Sequence, residues 1–184
     1  MRKLGMVVGV VALLVTSASW AAPIVWTGPT MTFTKAHAAD WTLAANQDHI
    51  TDQTWITRKD NEGIFNIAME TTAVRASSPL NTEWSYGQAA DWATLTFGTW
   101  FAWQDSNPSS TLNRDAVLHL VAEDIYIDIK FLSWEGSFAA GGRGGFSYER
   151  STAPEDGGAV PEPATMTLVG LGLGGVALLR RRKA

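Results

Sequence analysis

The sequence predicts an all-β fold, an antiparallel β-sandwich for which a jelly-roll-like arrangement is one option, followed by one C-terminal transmembrane helix. Three observations predict it. Between Ala22 and Arg150 apolar residues recur with period two, no stretch sustains a helical period, and turn-forming residues interrupt the pattern at short intervals. The uncharged run from Ala164 to Leu179 then breaks that pattern and ends in Arg180-Arg181-Arg182-Lys183.

The elements follow in chain order. Met31, Phe33 and Lys35 alternate with Thr32 and Thr34, which reads as a half-buried strand. The best helical window, Thr34 to Leu43, has only a poor periodic match. Trp55 to Thr57 and Ile64 to Ile67 flank the polar, Gly-ended segment Lys59 to Gly63, the pattern of a hairpin. Ala93, Leu95 and Phe97 alternate with Thr94 and Thr96 and predict another strand. Val117 to Val121 is apolar on both faces and predicts a central strand. Ala122-Glu123-Asp124 turns it into Ile125, Ile127, Ile129 and Phe131, which alternate with Tyr126, Asp128 and Lys130. Gly136 to Gly145 holds five glycines around Arg143 but does not follow G-x-G-x-x-G, so it reads as a surface loop or a bulged return into Phe146-Ser147-Tyr148. Trp55, Trp92 and Trp134 adjoin strand patterns and are expected in the core, each burying roughly 200 Å².

The ends differ from the body. Met1-Arg2-Lys3, an apolar run from Leu4 to Val15 and the small residues before Pro23 have the order of a secretory signal peptide, with cleavage expected after Ala21. The organisation is therefore a signal peptide at 1–21, a β-domain at 22–150, a polar linker at 151–160 and a terminal segment at 161–184. The chain has 14 Lys and Arg against 18 Asp and Glu, and six of the cations lie in the two ends. The stretch 22–163 keeps eight cations and all eighteen acids, a net charge of −10. Such a body repels phosphate backbones, which argues against nucleic acid as a partner. The absence of Cys excludes thiolate nucleophiles, disulfides and Cys-based metal sites.

A helix over 164–179 would be about 24 Å long, somewhat short of a hydrocarbon core of about 30 Å, a gap that flanking residues and local thinning can cover. Gly170 and Gly174 give a small-xxx-small spacing. The cations at 180–183 are expected on the cytoplasmic side. Before the run, Pro161 and Pro163 hold Val160-Pro161-Glu162-Pro163 extended. In this order, V-P-E-P, a Gly- and Leu-rich span and an arginine cluster, the tail from Val160 to Lys183 resembles the PEP-CTERM sorting signal of Gram-negative bacteria. The resemblance implies recognition by an exosortase, a membrane-embedded processing enzyme, near Pro161-Glu162-Pro163. It also implies an inner-membrane-anchored precursor released to the cell surface or into extracellular polysaccharide. Val160, Pro161, Glu162 and Pro163 would then be recognition residues without a catalytic role.

The body has a resemblance of its own. Asp48 to Arg58, the strand ending Phe131-Leu132-Ser133-Trp134, and Gly145 to Thr152 are similar to a recurrent secreted bacterial β-domain without an assigned activity. That likeness implies a stand-alone exported domain and carries over no catalytic residue.

Candidate chemistry in the body is sparse. His37, His49 and His119 lack metal-ligand spacing, and His119 in its apolar strand reads as a packed, hydrogen-bonded side chain. No G-x-S-x-G accompanies a nucleophilic triad. Glu123, Asp124 and Glu135 are candidates for the paired acids of glycoside hydrolysis, set against their reading as solvated turn residues. Asp48 and Asp52 could contribute to a calcium site, although the D-x-D-x-D-G loop is missing. No other metal or cofactor is expected. Trp100, Phe101 and Trp103, beside the loop Gln104 to Pro108, would form a sugar-stacking platform if exposed; otherwise they seal one end of the domain. The resulting expectation is a non-enzymatic, surface-sorted protein of the envelope or extracellular matrix, with exopolysaccharide as ligand. A polysaccharide-active enzyme and a passive coat protein are the alternatives.

Overall fold

A computed structural model describes residues 22–136 and 141–155. The predicted signal peptide, the sorting segment and the helix at 164–179 lie outside the described residues. The described part of the body forms one compact unit. Among the described residues there are nine strands in two mainly antiparallel sheets, one short α-helix and three short 3₁₀ helices.

The larger sheet is built on β8, Ile125–Trp134, the strand with the clearest alternation in the sequence. Ile125, Ile127, Ile129 and Phe131 are buried on one face, as their spacing requires. On one side β8 pairs with β7, Ala116–Leu120, which pairs in turn with β6, Thr82–Tyr86. Its other side is shared by two partners. β1, Ile24–Trp26, runs parallel to its first three residues, and β9, Phe146–Ser151, pairs antiparallel from Ile129 onward. A bulge between Phe131 and Ser133 turns Leu132 outward before Trp134 pairs with Phe146. β2, Thr30–Lys35, closes the sheet against β9. The smaller sheet orders β3, Asp48–His49, β4, Trp55–Arg58, and β5, Ile64–Asn66, with the predicted hairpin between β4 and β5. Ile50 beside β3, Ile56 and Ile64 from the smaller sheet join Phe33, Trp84, Leu118, Ile127 and Phe131 from the larger in one hydrophobic core.

The β7–β8 hairpin shows how local chemistry sets the frame. Asp124 takes φ 51°, and Asn81, itself at φ 68°, braces the turn from outside. The Asn81 carboxamide accepts from the Ala122 amide (2.6 Å) and donates to Glu123 (2.6 Å). Thr51 also donates to Glu123 (2.7 Å). The predicted turn is therefore present, but Glu123 is a brace between loops and not a free solvated acid.

Two expectations are corrected. Ala93 to Phe97 is not a strand. Ala89–Thr94 is a 3₁₀ helix, and the chain makes only an isolated bridge from Gly98 to Trp84. Trp92, Leu95 and Phe97 instead lie across the outer face of β7 and β8, packed on a second small core of Ala89, Val117 and Tyr126. Trp92 and Phe97 sit 5.0 and 5.6 Å from the Tyr126 ring. Alternating apolar residues bury as well by covering a sheet face as by joining its edge, and here the Ala89 amide is tied down to Asp128 (2.6 Å). The tryptophans are also redistributed. Trp26, Trp84 and Trp100 are buried, whereas Trp55, Trp92 and Trp134 are half-buried. Trp55 stays near the surface because its indole N–H donates to Thr51 O (2.9 Å) while its face stacks on His49, 4.0 Å away.

The strand also runs past the expected start of the linker. Ser151 closes β9, and Thr152 exchanges backbone hydrogen bonds with the two residues before β2: Gly28 N–H donates to Thr152 O (3.0 Å) and Thr152 N–H to Pro29 O (3.2 Å).

Candidate functional site

The residues foreseen as a platform form α1, Trp100–Trp103. Thr99 caps it by accepting from the Ala102 amide (3.2 Å), and Ser78 accepts from the Trp100 amide (2.8 Å). The turn lays Trp100 and Trp103 inward. Trp100 is 4% exposed and meets Trp84 edge-on at 4.9 Å and Phe131 at 5.2 Å. Trp103 packs on Trp84 and Tyr86 at 5.5 and 4.9 Å. A flat platform of Trp100, Phe101 and Trp103 is thus ruled out: two of its three rings are spent on the core, with energies of several kcal/mol each at stake.

What α1 borders is a cleft of about 470 Å³. Trp100, Phe101 and Trp134 supply its aromatic lining, and Arg58 and Gln104 supply its most deeply buried polar groups. Glu62 to Ile64 and Ala73 to Ser77 line it further, with Asn107, Pro108 and Ser109 beyond α1. Arg58, at the end of β4, is 3% exposed. Its guanidinium lies 3.9 Å over the Trp134 ring, and it donates to Glu62 O (2.7 Å) through Nε and to Gly145 O (3.2 Å) through Nη1. Burial lowers its pKa to about 10, against a weaker upward pull from Glu135, so it remains a cation at neutral pH. Gln104, the residue after α1, is 6% exposed, and its Oε1 accepts no hydrogen bond among the described residues. Glu62 is the acid among the lining residues, and its Oε2 accepts from Thr72 Oγ1 (2.6 Å) and the Ala73 amide (3.3 Å).

The glycine-rich loop ends beside this cleft. The Glu135 carboxylate accepts from the amides of Arg143 (2.8 Å) and Gly145 (3.0 Å) and pairs with His37 at 3.0 Å. The Arg143 amide, then those of Gly145 and the His37 contact, hold the Glu135 carboxyl below its ordinary range. Lys35, fully buried, donates to Gly144 O (3.3 Å), and burial lowers its pKa. Gly144 has φ 75° and lies against the Lys59 carbonyl, where a Cβ would collide with backbone. Glu135 is therefore a clamp on this loop.

The other predicted candidates fall in separate places. Asp124 lies 3.2 Å from His119, whose ring stacks on Tyr126 at 4.3 Å, so His119 is the packed, hydrogen-bonded residue expected. Asp48 is buried and fully engaged: Arg150 donates to it through Nε (2.7 Å) and Nη2 (2.8 Å), and Tyr148 through its hydroxyl (2.6 Å). Its two oxygens are thus committed, while Asp52 is exposed, and the pair does not form a calcium site. Among the described residues no group of three or more His, Asp or Glu could hold a metal ion. A second depression, of about 340 Å³, is lined by Asp115, Asp128, Lys130 and Glu149. Its charges satisfy one another, with Lys130 at 2.8 Å from Asp115 and 3.6 Å from Glu149. Arg58 and Gln104 were not foreseen as site residues, because nothing in the sequence separates a strand-end Arg or a loop Gln from an exposed one.

Outside the described residues the sequence decides more. Residues 159–183 match the PEP-CTERM protein-sorting motif. The chain is therefore an exported, exosortase-targeted precursor that transits the membrane. The PEP-CTERM match takes in Val160, Pro161, Glu162 and Pro163 together with Arg180, Arg181, Arg182 and Lys183. No curated protein and no solved structure matches the chain. Among the described residues no helix is long and apolar enough to cross a membrane.

Proposed function

We propose that the exported domain is a non-enzymatic saccharide-binding module of the envelope or extracellular polysaccharide matrix, and that the α1 cleft is its binding site. The observation that carries this reading is the buried Gln104 Oε1, an acceptor without a donor among the described residues, on a side chain that lines a cleft with aromatic walls. An unpaired buried acceptor costs about 1–3 kcal/mol, which a ligand hydroxyl would recover. Sugars offer hydroxyls at the rim of an apolar ring face, the combination that rings and carboxamides accept together. The terminal torsion of a Gln side chain is broad and two-fold, so half a turn presents either end of the amide.

Binding is favoured over hydrolysis by the acids. Glycoside cleavage needs two carboxyl groups about 5–10 Å apart across the bond. In the cleft Glu62 is held by Thr72 and Ala73, and beside it Glu135 is engaged as the loop clamp, while Glu123 and Asp124 serve elsewhere as hairpin brace and His119 partner. On this reading the two sheets face each other as a sandwich, and the segment 164–179 anchors the precursor until it is cut near Pro161-Glu162-Pro163.

Two measurements test it. Glycan-array binding by the full chain is expected, and to be weakened by Gln104→Leu; silence across the array overturns the binding role. Mass spectrometry of extracellular material is expected to find a C-terminus near Pro163, without Leu168 to Ala184. An intact tail in that fraction overturns the processing.

A further inference from the structure

We infer that the α1 cleft selects an acidic saccharide, one whose uronate carboxylate lies against Arg58. The inference rests on the saccharide-binding reading and adds the ligand's charge to it. Arg58 is as deeply buried as Arg150, at 3% against 5% exposure, yet their partners differ. Arg150 holds a carboxylate with two of its nitrogens. Arg58 holds two backbone carbonyls and an indole face, and among the described residues it forms no ion pair. Its Nη2 makes no hydrogen bond among the described residues, which leaves one end of the guanidinium for an incoming oxygen.

The nearest carboxylate, Glu135, favours the Arg58 charge from a distance but is taken up by the Arg143 and Gly145 amides and His37. A desolvated cation that no carboxylate touches attracts an anion more strongly than an exposed one, because the local dielectric is low. The Trp134 ring fixes the guanidinium plane, so less freedom is lost when a planar carboxylate meets it. The lining adds a second cation, the exposed Arg75, against the single acid Glu62, whose Oε2 is already engaged. Gln104 then takes a neutral hydroxyl of the same sugar. The body's net charge of −10 opposes an acidic chain only at range. At physiological salt that field fades within about 8 Å, whereas contact with Arg58 is far closer.

The test is calorimetric titration of the full chain in detergent with oligogalacturonate and oligoglucuronate, each compared with its own methyl ester, alongside a neutral-glycan panel. The esters keep the sugar and remove the charge. The acids are expected to bind roughly 10- to 100-fold more tightly than the esters. Arg58→Gln is expected to bring that ratio down toward one. Arg75→Gln, at an exposed position, is expected to lower acid affinity by about threefold even if Arg58→Gln does not fold. Equal affinity for acid and ester overturns the charge selection and leaves the binding role standing. Binding of neutral glycans but of neither acid also overturns it. Failure of acids, esters and neutral glycans alike overturns both.

Discussion

Arg150 and Arg58 make a comparison inside one small domain. Both are buried guanidinium groups near strand ends, one in each sheet, and each reaches across the chain for a partner. Around Arg150 every demand is met. Burial works against its charge, but the hydrogen bonds and charge of Asp48 outweigh it and raise the Arg150 pKa. Burial also raises the Tyr148 hydroxyl well above its ordinary value, so it stays protonated and donates to Asp48. Around Arg58 burial prevails, its pKa falls, and a carboxamide oxygen of the same cleft is left without a donor among the described residues. The first arrangement fixes the fold and has nothing left to offer a ligand. The second leaves valences open beside a cleft, which is the condition a binding site needs.

The comparison can be broken or sharpened in order of effect. Asp48→Ala should be the most damaging change, because it strands Arg150 as an uncompensated buried charge; a loss of about 3–5 kcal/mol is expected in denaturant melts. A loss below about 1 kcal/mol would mean that the network is not holding the sheets. Arg58→Gln should cost less, about 1–3 kcal/mol, since it removes two bonds to carbonyl oxygens and no counter-ion. If it destabilises as much as Asp48→Ala, Arg58 belongs to the scaffold and the contrast disappears.

The Glu135 clamp gives a pH signature. Its folded pKa is depressed from the ordinary 4.5, so its contribution is complete above that value and fades as the pH falls through the folded pKa. Acid titration of stability should therefore show a downward limb below about pH 4.5 that is shallower in Glu135→Gln. Equal limbs would remove Glu135 as a clamp on the loop. The smallest effect should come from Gln104→Leu. Replacing an unsatisfied amide with an apolar side chain should leave stability unchanged or raise it by up to about 1 kcal/mol, while saccharide binding weakens. A clear destabilisation would show that the amide has a structural partner after all.

These two regions were unequally legible. β8 and its hairpin with β7 could be read directly, because Ile125, Ile127, Ile129 and Phe131 write their burial into a local period. Lys35 was readable as a position on the buried face of β2, though not as a cation gripping Gly144. The bond between Asp48 and Arg150 spans 102 residues, and no local pattern announces it. Residues 93–97 misled because their alternation records which side is covered, not whether the backbone is paired. The aromatic cluster at 100–103 was found, but its depth depended on Trp84 and Phe131, contributed by other strands. The sorting tail was the most legible part because its meaning resides in linear order, V-P-E-P, grease and cations, and needs no tertiary partner.

One detail of the larger sheet bears on tethering. β9 lies between β2 and β8, antiparallel to both, and leads out through Thr152 toward the sorting motif. A pull applied along the outgoing chain runs parallel to β9 and loads its flanking hydrogen bonds together in shear, where an edge strand would unzip one bond at a time. Whatever force the chain beyond Thr152 transmits therefore enters the domain through an interior strand.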